Sequence, residues 1–377
     1  MKKPLKQLLN IRMRTINSLY IHIPFCNNIC SYCDFPKLQF FRSIAVKYLE
    51  ALKKEIEQQV DNKDLKTIYI GGGTPTSLDD DLFLQLLEII KPYSTTVEEY
   101  TIEVNPESLS LNKLKMMKKY GINRISLGVQ STDDQILKLL NRHHDFLTVK
   151  NCVKQILEVG INNFNVDLIL GLPHVSKQML IKDLDNILSL KPKHISTYSL
   201  SVHEHTIFGI NKVDEPDEYF AYDLYKTVDE ILTKRGYKHY EVSNFASQGY
   251  ESKHNLVYWQ NEEYYGVGLA AASYINGVRY KNSDNLEKYL AGDYSKEVEK
   301  LDLNDIFEYQ VMLNLRTTYG LDIKKCLLLF NKDIYKDKKI EIEQYIKGGY
   351  LVLKNDNLIP TFDGMMILDR IILDLLS

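Results

Sequence analysis

Six times between residues 18 and 200 a short apolar run gives way to a longer stretch with helical spacing. The runs are SLYIHI (18–23), KTIYI (66–70), EYTIEV (99–104), RISLGV (124–129), FNVDLIL (164–170) and HISTYSL (194–200). Each is rich in β-branched or aromatic residues, and turn-forming residues separate them, so each predicts a strand. The stretches that follow, such as Ser43 to Val60, Asp79 to Ile90 and Leu111 to Lys119, predict helices. Strand then helix, repeated in order, restricts the chain to right-handed βα crossovers and a parallel sheet. An open doubly wound layer and a barrel both satisfy that pattern. In either, function collects at one rim, where the βα loops leave the carboxyl ends of the strands.

After about Gly236 the rhythm changes. YKHYEVSNF and VYWQNEEYYGVGLAAASYINGVRY read as short strands and turns, extending one edge of the sheet. From about Lys300 the pattern is helical, with GGYLVLKNDNLIPTFDG predicting a two-stranded wing before a last helix, Met365 to Leu376. The expected division is a basic, flexible N-terminus over 1–16, a βα portion over 17–236, a β-rich extension over 237–299 and a helical, winged module over 300–377. A hydrophobic content of 44% with 26% charged residues fits a soluble chain with a large core. The net charge of −3 gives no global attraction to nucleic acid or an anionic membrane. No apolar run approaches the roughly 18 residues of a spanning helix. The start, MKKPLKQLLNIRMRTIN, lacks the apolar stretch and cleavage site of a secretory signal, so a cytoplasmic protein is expected.

Three of the five cysteines crowd one loop, IHIPFCNNICSYCDFPK (21–37), as Cys26, Cys30 and Cys33. Five cysteines in so long a chain make no disulfide framework. Thiolates are soft ligands for iron–sulfur clusters and zinc, and both gaps are short enough for all three to meet one metal centre. Structural zinc takes four ligands, and here Asp34, His22 or a distant group would have to be the fourth. A cubane held by three thiolates instead leaves one iron open to a small molecule. Cys152 and Cys326 lie alone in helical patterns and read as core residues. Gly71-Gly72-Gly73-Thr74-Pro75 follows the second strand, where glycine permits close backbone approach, but its spacing is neither a P-loop nor a dinucleotide fingerprint. Glu103 and Gln130 end the third and fourth strands. Asp167 interrupts an apolar strand and needs a partner, for which Arg142 is the candidate.

The cysteine loop, taken with GGGTP, EVNPES, RISLGVQS, NRHH, DLILGLP and HNLVYW, resembles the radical S-adenosylmethionine (SAM) superfamily. More specifically it resembles the branch that contains oxygen-independent coproporphyrinogen III dehydrogenase and the heme chaperones. The resemblance runs from Tyr20 to the C-terminal module. It implies an α/β fold, a partial (β/α)6 barrel left incompletely closed, with six units rather than eight, beside the small winged-helix-like module. It also implies that Cys26, Cys30 and Cys33 hold a 4Fe-4S cluster whose open iron takes SAM. Tyr20, Tyr32, Gly72, Gly73, Thr74, Glu103, Gln130, Arg142 and Asp167 are the SAM-site residues it points to, around one or two SAM molecules.

Within that branch the dehydrogenase carries another cysteine two residues after the third, and a longer N-terminal extension. Here that position is Phe35, and only 25 residues precede Cys26. Both departures point to a heme carrier rather than an enzyme. His254 in KHNLVYWQ then becomes the expected axial ligand of heme, with Tyr258 and Trp259 as flat apolar surface, although an imidazole among aromatics is equally a packing residue. Ala272, in GLAAASY, stands where relatives place a histidine. His203 and His205 in SVHEHT are close enough to suggest metal but read as exposed loop residues. The resulting expectation is a cytosolic heme chaperone. It would pass heme to an acceptor hemoprotein, such as a membrane-associated respiratory cytochrome, and a homodimer is compatible with it. A radical SAM oxidoreductase of porphyrin metabolism, like the dehydrogenase, is the alternative, and a zinc-stapled interaction module the third reading.

Overall fold

The six apolar runs form six neighbouring parallel strands: β1 (Ser18–Ile23), β2 (Thr67–Gly72), β3 (Glu99–Val104), β4 (Arg124–Gln130), β5 (Asn163–Leu170) and β6 (His194–Ser199). The structure is a computed structural model that describes residues 15–377. The basic segment expected over 1–16 therefore falls almost wholly outside the described residues. Between the strands lie α1 (Arg42–Gln59), α2 (Asp80–Ile90), α3 (Leu111–Lys119), α4 (Asp134–Leu139), α5 (Phe146–Glu158) and α6 (Lys177–Ser189). α7 (Ile207–Ile210) and α8 (Glu218–Lys234) follow β6. Most start where a short polar side chain accepts an amide of the first turn, as Ser110, Asp133, Asp145, Ser176, Thr206 and Asp217 do. The apolar faces of these helices and the strand residues, among them Leu19, Ile68, Ile102, Leu127 and Val166, share one continuous core.

The segment after Gly236 corrects the expectation twice. It flanks both edges of the sheet, not one. β7 (Lys238–Glu241) and β8 (Asn244–Ala246) form an antiparallel pair beyond β6, while β9 (Tyr265–Val267) lies parallel to β1. The sheet is nine-stranded, in the order β9-β1-β2-β3-β4-β5-β6-β8-β7. Secondly, the VYW that opens VYWQNEEYYGVGLAAASYINGVRY is no strand: it ends the helix α9 (Lys253–Trp259). Its first turn is fixed by a distant acceptor, because the amides of Lys253 and His254 both donate to the buried Glu99 carboxylate at the start of β3, each at 3.0 Å. Nothing in the local sequence reveals that acceptor.

β10 (Ala272–Ile275), β11 (Val278–Asn282) and β12 (Lys296–Lys300) make a separate antiparallel sheet. It is latched to α1 through Glu55, a buried carboxylate that accepts from Gly268 N, Asn282 Nδ2 and the Tyr289 hydroxyl at 2.6–2.8 Å. From Leu303 the chain has its own apolar core, which includes Phe307, Val311, Leu321, Ile342 and Ile371. β13 (Leu321–Asp322) joins the expected wing, β14 (Leu351–Lys354) and β15 (Asn357–Pro360). Asn355 and Asp356, both at positive φ (51° and 62°), form the tight turn that favours this hairpin. The predicted last helix is broken into Phe362–Met366 and Leu368–Leu376 by the non-helical Ile367. Among the described residues no helix is long and apolar enough to cross a membrane.

Candidate functional site

The cysteine loop links β1 to α1 across the carboxyl ends of the strands, and it is tied down along its length. Phe25–Cys26 pairs in parallel with Leu38–Gln39. Ser31 N donates to Leu140 O (3.1 Å), Asn141 Nδ2 to Ile29 O (2.8 Å) and Phe208 N to Ser31 O (2.9 Å). His22 holds the exit. Its Nε2–H donates to Pro36 O at 2.8 Å, so its Nδ1 accepts from the Tyr20 hydroxyl at 2.9 Å. Burial lowers the pKa of that ring to about 4, so it stays neutral and fills its two bonds.

Cys26, Cys30 and Cys33 open onto one cavity of about 540 Å³. The ends of β2 to β6 supply its floor through Gly72, Glu103, Gly128, Asp167 and Tyr198. Among the described residues no three His, Cys, Asp or Glu side chains converge tightly enough for a single ion. A cubane places its ligated irons at separate corners, so thiols spread over one wall suit it better than a mononuclear zinc ion in its tight tetrahedron. Burial pushes the Cys26 thiol up to about 12, against the Thr74 hydroxyl 3.7 Å from its sulfur, and it also raises Cys33. Metal binding would displace those protons. Arg142 stands over the loop with Nη1 3.6 Å from Cys30 Sγ.

Arg142 is not the partner of Asp167, contrary to expectation. Its Nη2 donates to Gly128 O at 2.6 Å, and Glu107 lies 3.8 Å from Nη1. Asp167 is instead met by Asn165 Nδ2 (2.6 Å) and Ser126 Oγ (3.4 Å), with the buried Arg124 guanidinium as the nearby cation. Burial still raises its pKa. Glu103 accepts from the Tyr69 hydroxyl (2.8 Å) and Gly72 N (2.9 Å). Burial outweighs those bonds, and with the Asp167 charge nearby the pKa of Glu103 is raised to about 7. The cavity lining thus includes two desolvated carboxylates and one guanidinium, a setting for a ligand with both cationic and anionic groups.

The glycine run serves the protein's own contacts first. A Cβ on Gly73 would meet the Pro24 and Phe25 carbonyl groups at 2.8 Å. Gly73 N and Thr74 N donate to Ile23 O and Phe25 O. Gly72, at φ 115°, turns beside the His22 ring. The run seats the cysteine loop against β2 while Gly72, Gly73 and Thr74 still line the cavity.

Tyr32, Gln130, Arg142, Glu103 and Asp167 are on the same wall, so the structure gathers most of the residues singled out from the sequence. Tyr20 and His254 are not on it. Tyr20 acts through His22. His254 is fully buried beneath the opposite ends of the strands, with Nδ1 2.8 Å from Thr67 Oγ1 and Nε2 2.8 Å from the Tyr258 hydroxyl. Burial, with the Arg124 charge, lowers its pKa to about 3. Both ring nitrogens are engaged, so axial coordination by His254 would require the bond to Thr67 or to Tyr258 to be given up. Thr67 and Gly72 terminate the same strand, about 16 Å apart at 3.3 Å per residue. Ala272 begins β10, is exposed and is not on the cavity wall. Sequence reasoning missed Tyr69, Asn105, Ser126 and Tyr198 on the wall. The two-residue period of a strand was the available signal for Ser126, which shares a face with Gly128.

Comparison with known proteins agrees with this geometry. Residues 20–187 match the model of the Radical SAM superfamily. The heme chaperone HemW of Lactococcus lactis is 40% identical over 320 residues, 82% of this chain and 84% of that protein. The heme chaperone HemW of Bacillus subtilis is 38% identical, over 82% of this chain and 86% of that one. Among solved structures, coproporphyrinogen III oxidase (HemN) of Escherichia coli, a radical SAM enzyme, superposes with a TM-score of 0.83 over 98% of this chain and 93% of its own, at 22% identity. That likeness is one of fold.

Proposed function

The chain belongs to the heme chaperone HemW family of the radical SAM superfamily, and from that premise we propose that it binds heme and hands it to an acceptor hemoprotein. One observation carries the reading: three thiols share a cavity wall, and Phe35, at the position where the related dehydrogenase has a further cysteine, is 67% exposed. Cys26, Cys30 and Cys33 hold a 4Fe-4S cluster, with SAM as the second cofactor. When bound, the cluster would supply one iron without a protein thiolate, free to take the amino and carboxylate groups of SAM. Arg142 keeps a fixed positive charge beside Cys30, where it would attract the SAM carboxylate. Glu103 and Asp167 would offer acceptors to the amino N–H and ribose hydroxyls of SAM, and Tyr32, Gly72, Gly73, Thr74 and Gln130 would complete the enclosure.

A cytoplasmic location, a membrane-associated acceptor and a homodimer formed with the loaded cluster belong to the same proposal. So does the division into a barrel over 17–236, an extension over 237–299 and a C-terminal module over 300–377, which the separate core of the last supports. Anaerobic reconstitution with iron and sulfide, followed by heme titration, tests the function. The expected result is brown protein that takes up heme at micromolar or lower concentration. Cluster-loaded protein that takes up none, yet forms 5′-deoxyadenosine as it consumes coproporphyrinogen III, would establish the oxidoreductase instead.

A further inference from the structure

With His254 enclosed, another imidazole must be sought for heme, and the mouth of the cluster cavity carries one. After β6 the chain turns through Leu200 to Thr206 along the rim, and His203 and Asp34 both line the opening. His205 Nε2 lies 2.5 Å from Asp34 Oδ1, and His203 Nε2 is 3.6 Å from Asp34 Oδ2. The two rings are 6.1 Å apart. A carboxylate hydrogen-bonded to a histidine fixes its tautomer and orientation, which Asp34 does for His205; His203, beyond hydrogen-bond distance of Asp34, has the carboxylate only as a neighbouring charge.

The turn is rigidly made. Thr206 donates to His203 O from both its amide (2.9 Å) and its hydroxyl (2.7 Å), and the same hydroxyl caps Gly209 N. A Cβ on Gly209 would meet His203 O at 2.1 Å, so only glycine allows α7 to pack so closely. Phe208 N in turn donates to Ser31 O of the cysteine loop, which fixes the imidazoles relative to the thiols. Phe35 lines the same opening and is 67% exposed, an apolar ring where a rim would ordinarily be polar, and Ile207 and Ile210 of α7 are exposed as well. These residues are too few to hold a bare ion, and among the described residues no three-ligand set exists. A porphyrin iron brings four ligands of its own, so one imidazole and a flat apolar support suffice.

We propose that heme docks at this mouth with His203 as its axial iron ligand, the Asp34–His205 pair beside that ring and Phe35 supporting the macrocycle. The inference rests on the heme-chaperone reading and assigns its binding site. It is tested by titrating ferric heme into the anaerobically reconstituted full chain, following the Soret band and the low-spin electron paramagnetic resonance signal. Wild type is compared with His203→Ala, Phe35→Ser and His254→Ala, each matched for iron, sulfide and circular dichroism. The expected result is a tenfold or greater loss of affinity and loss of the imidazole-type signal in His203→Ala, with the signal restored by free imidazole. Phe35→Ser weakens binding and leaves the axial signal, and His254→Ala retains both. A wild-type spectrum and affinity in His203→Ala, or loss of the signal in well-folded His254→Ala alone, overturns the assignment and leaves the chaperone reading standing. Failure of wild type to bind heme removes that reading itself.

Discussion

Glu103 and His254 show how burial sets the state of single groups in this protein. Glu103 has its folded pKa raised from 4.5 to about 7, so between those values the native state binds more protons than the unfolded chain. Its contribution to stability therefore falls as pH rises through that window and is constant above it. At 1.36 kcal/mol per unit the effect is about 3 kcal/mol. Urea unfolding of the chain without added SAM should find Glu103→Gln equal to wild type at pH 4.5 and more stable by that amount at pH 8. A gap independent of pH would contradict the buried carboxylate. His254→Ala takes the imidazole partner from the Tyr258 hydroxyl, while Thr67 keeps its bond to the Ser18 hydroxyl (2.9 Å), so the cost is about 1–3 kcal/mol for the one buried group left unpaired. It should lower the urea midpoint while cluster content after reconstitution is unchanged. That pairing could not be read from KHNLVYWQ, because Thr67 is 187 residues away in the chain. The thiols were legible because spacing within one loop is a local property.

The elements divide along the same line between local and distant causes. The six parallel strands were readable in composition and period, and five of them end within one residue of the run that announced them. The hairpin of β14 and β15 was readable from its Asn-Asp turn. α9 was not, since its start depends on Glu99 across the sheet rather than on its own residues. Ser252 alone, capping Asn255 N at 3.4 Å, is a weak start signal. Removing the carboxylate by Glu99→Ala leaves two amides and the Ser252 hydroxyl without their acceptor. Unfolding free energy should drop by about 2–4 kcal/mol, with the loss concentrated in amide exchange protection over 253–259. Equal protection in the variant would mean that the helix stands on its own propensity.

At the scale of the whole molecule, two apolar cores meet through a modest seam. The C-terminal helices touch the sheet edge and α9 through single bonds such as Val242 N to Arg316 O (3.1 Å), Thr318 N to Tyr240 O (2.9 Å) and Asn314 Nδ2 to Trp259 O (2.7 Å). Trp259 is the only tryptophan in the sequence and sits at that seam. Its fluorescence should change at a lower urea concentration than the far-ultraviolet circular dichroism, as the C-terminal helices separate before the barrel opens. Coincident curves would instead mark one cooperative unit. The sheet itself ends at β9 on one side and β7 on the other, with no ladder between them among the described residues. A sealed barrel has its girth dictated by strand number and stagger. Here the circumference is a free variable, and the aperture can dilate around a bulky planar guest without any strand giving up its neighbour.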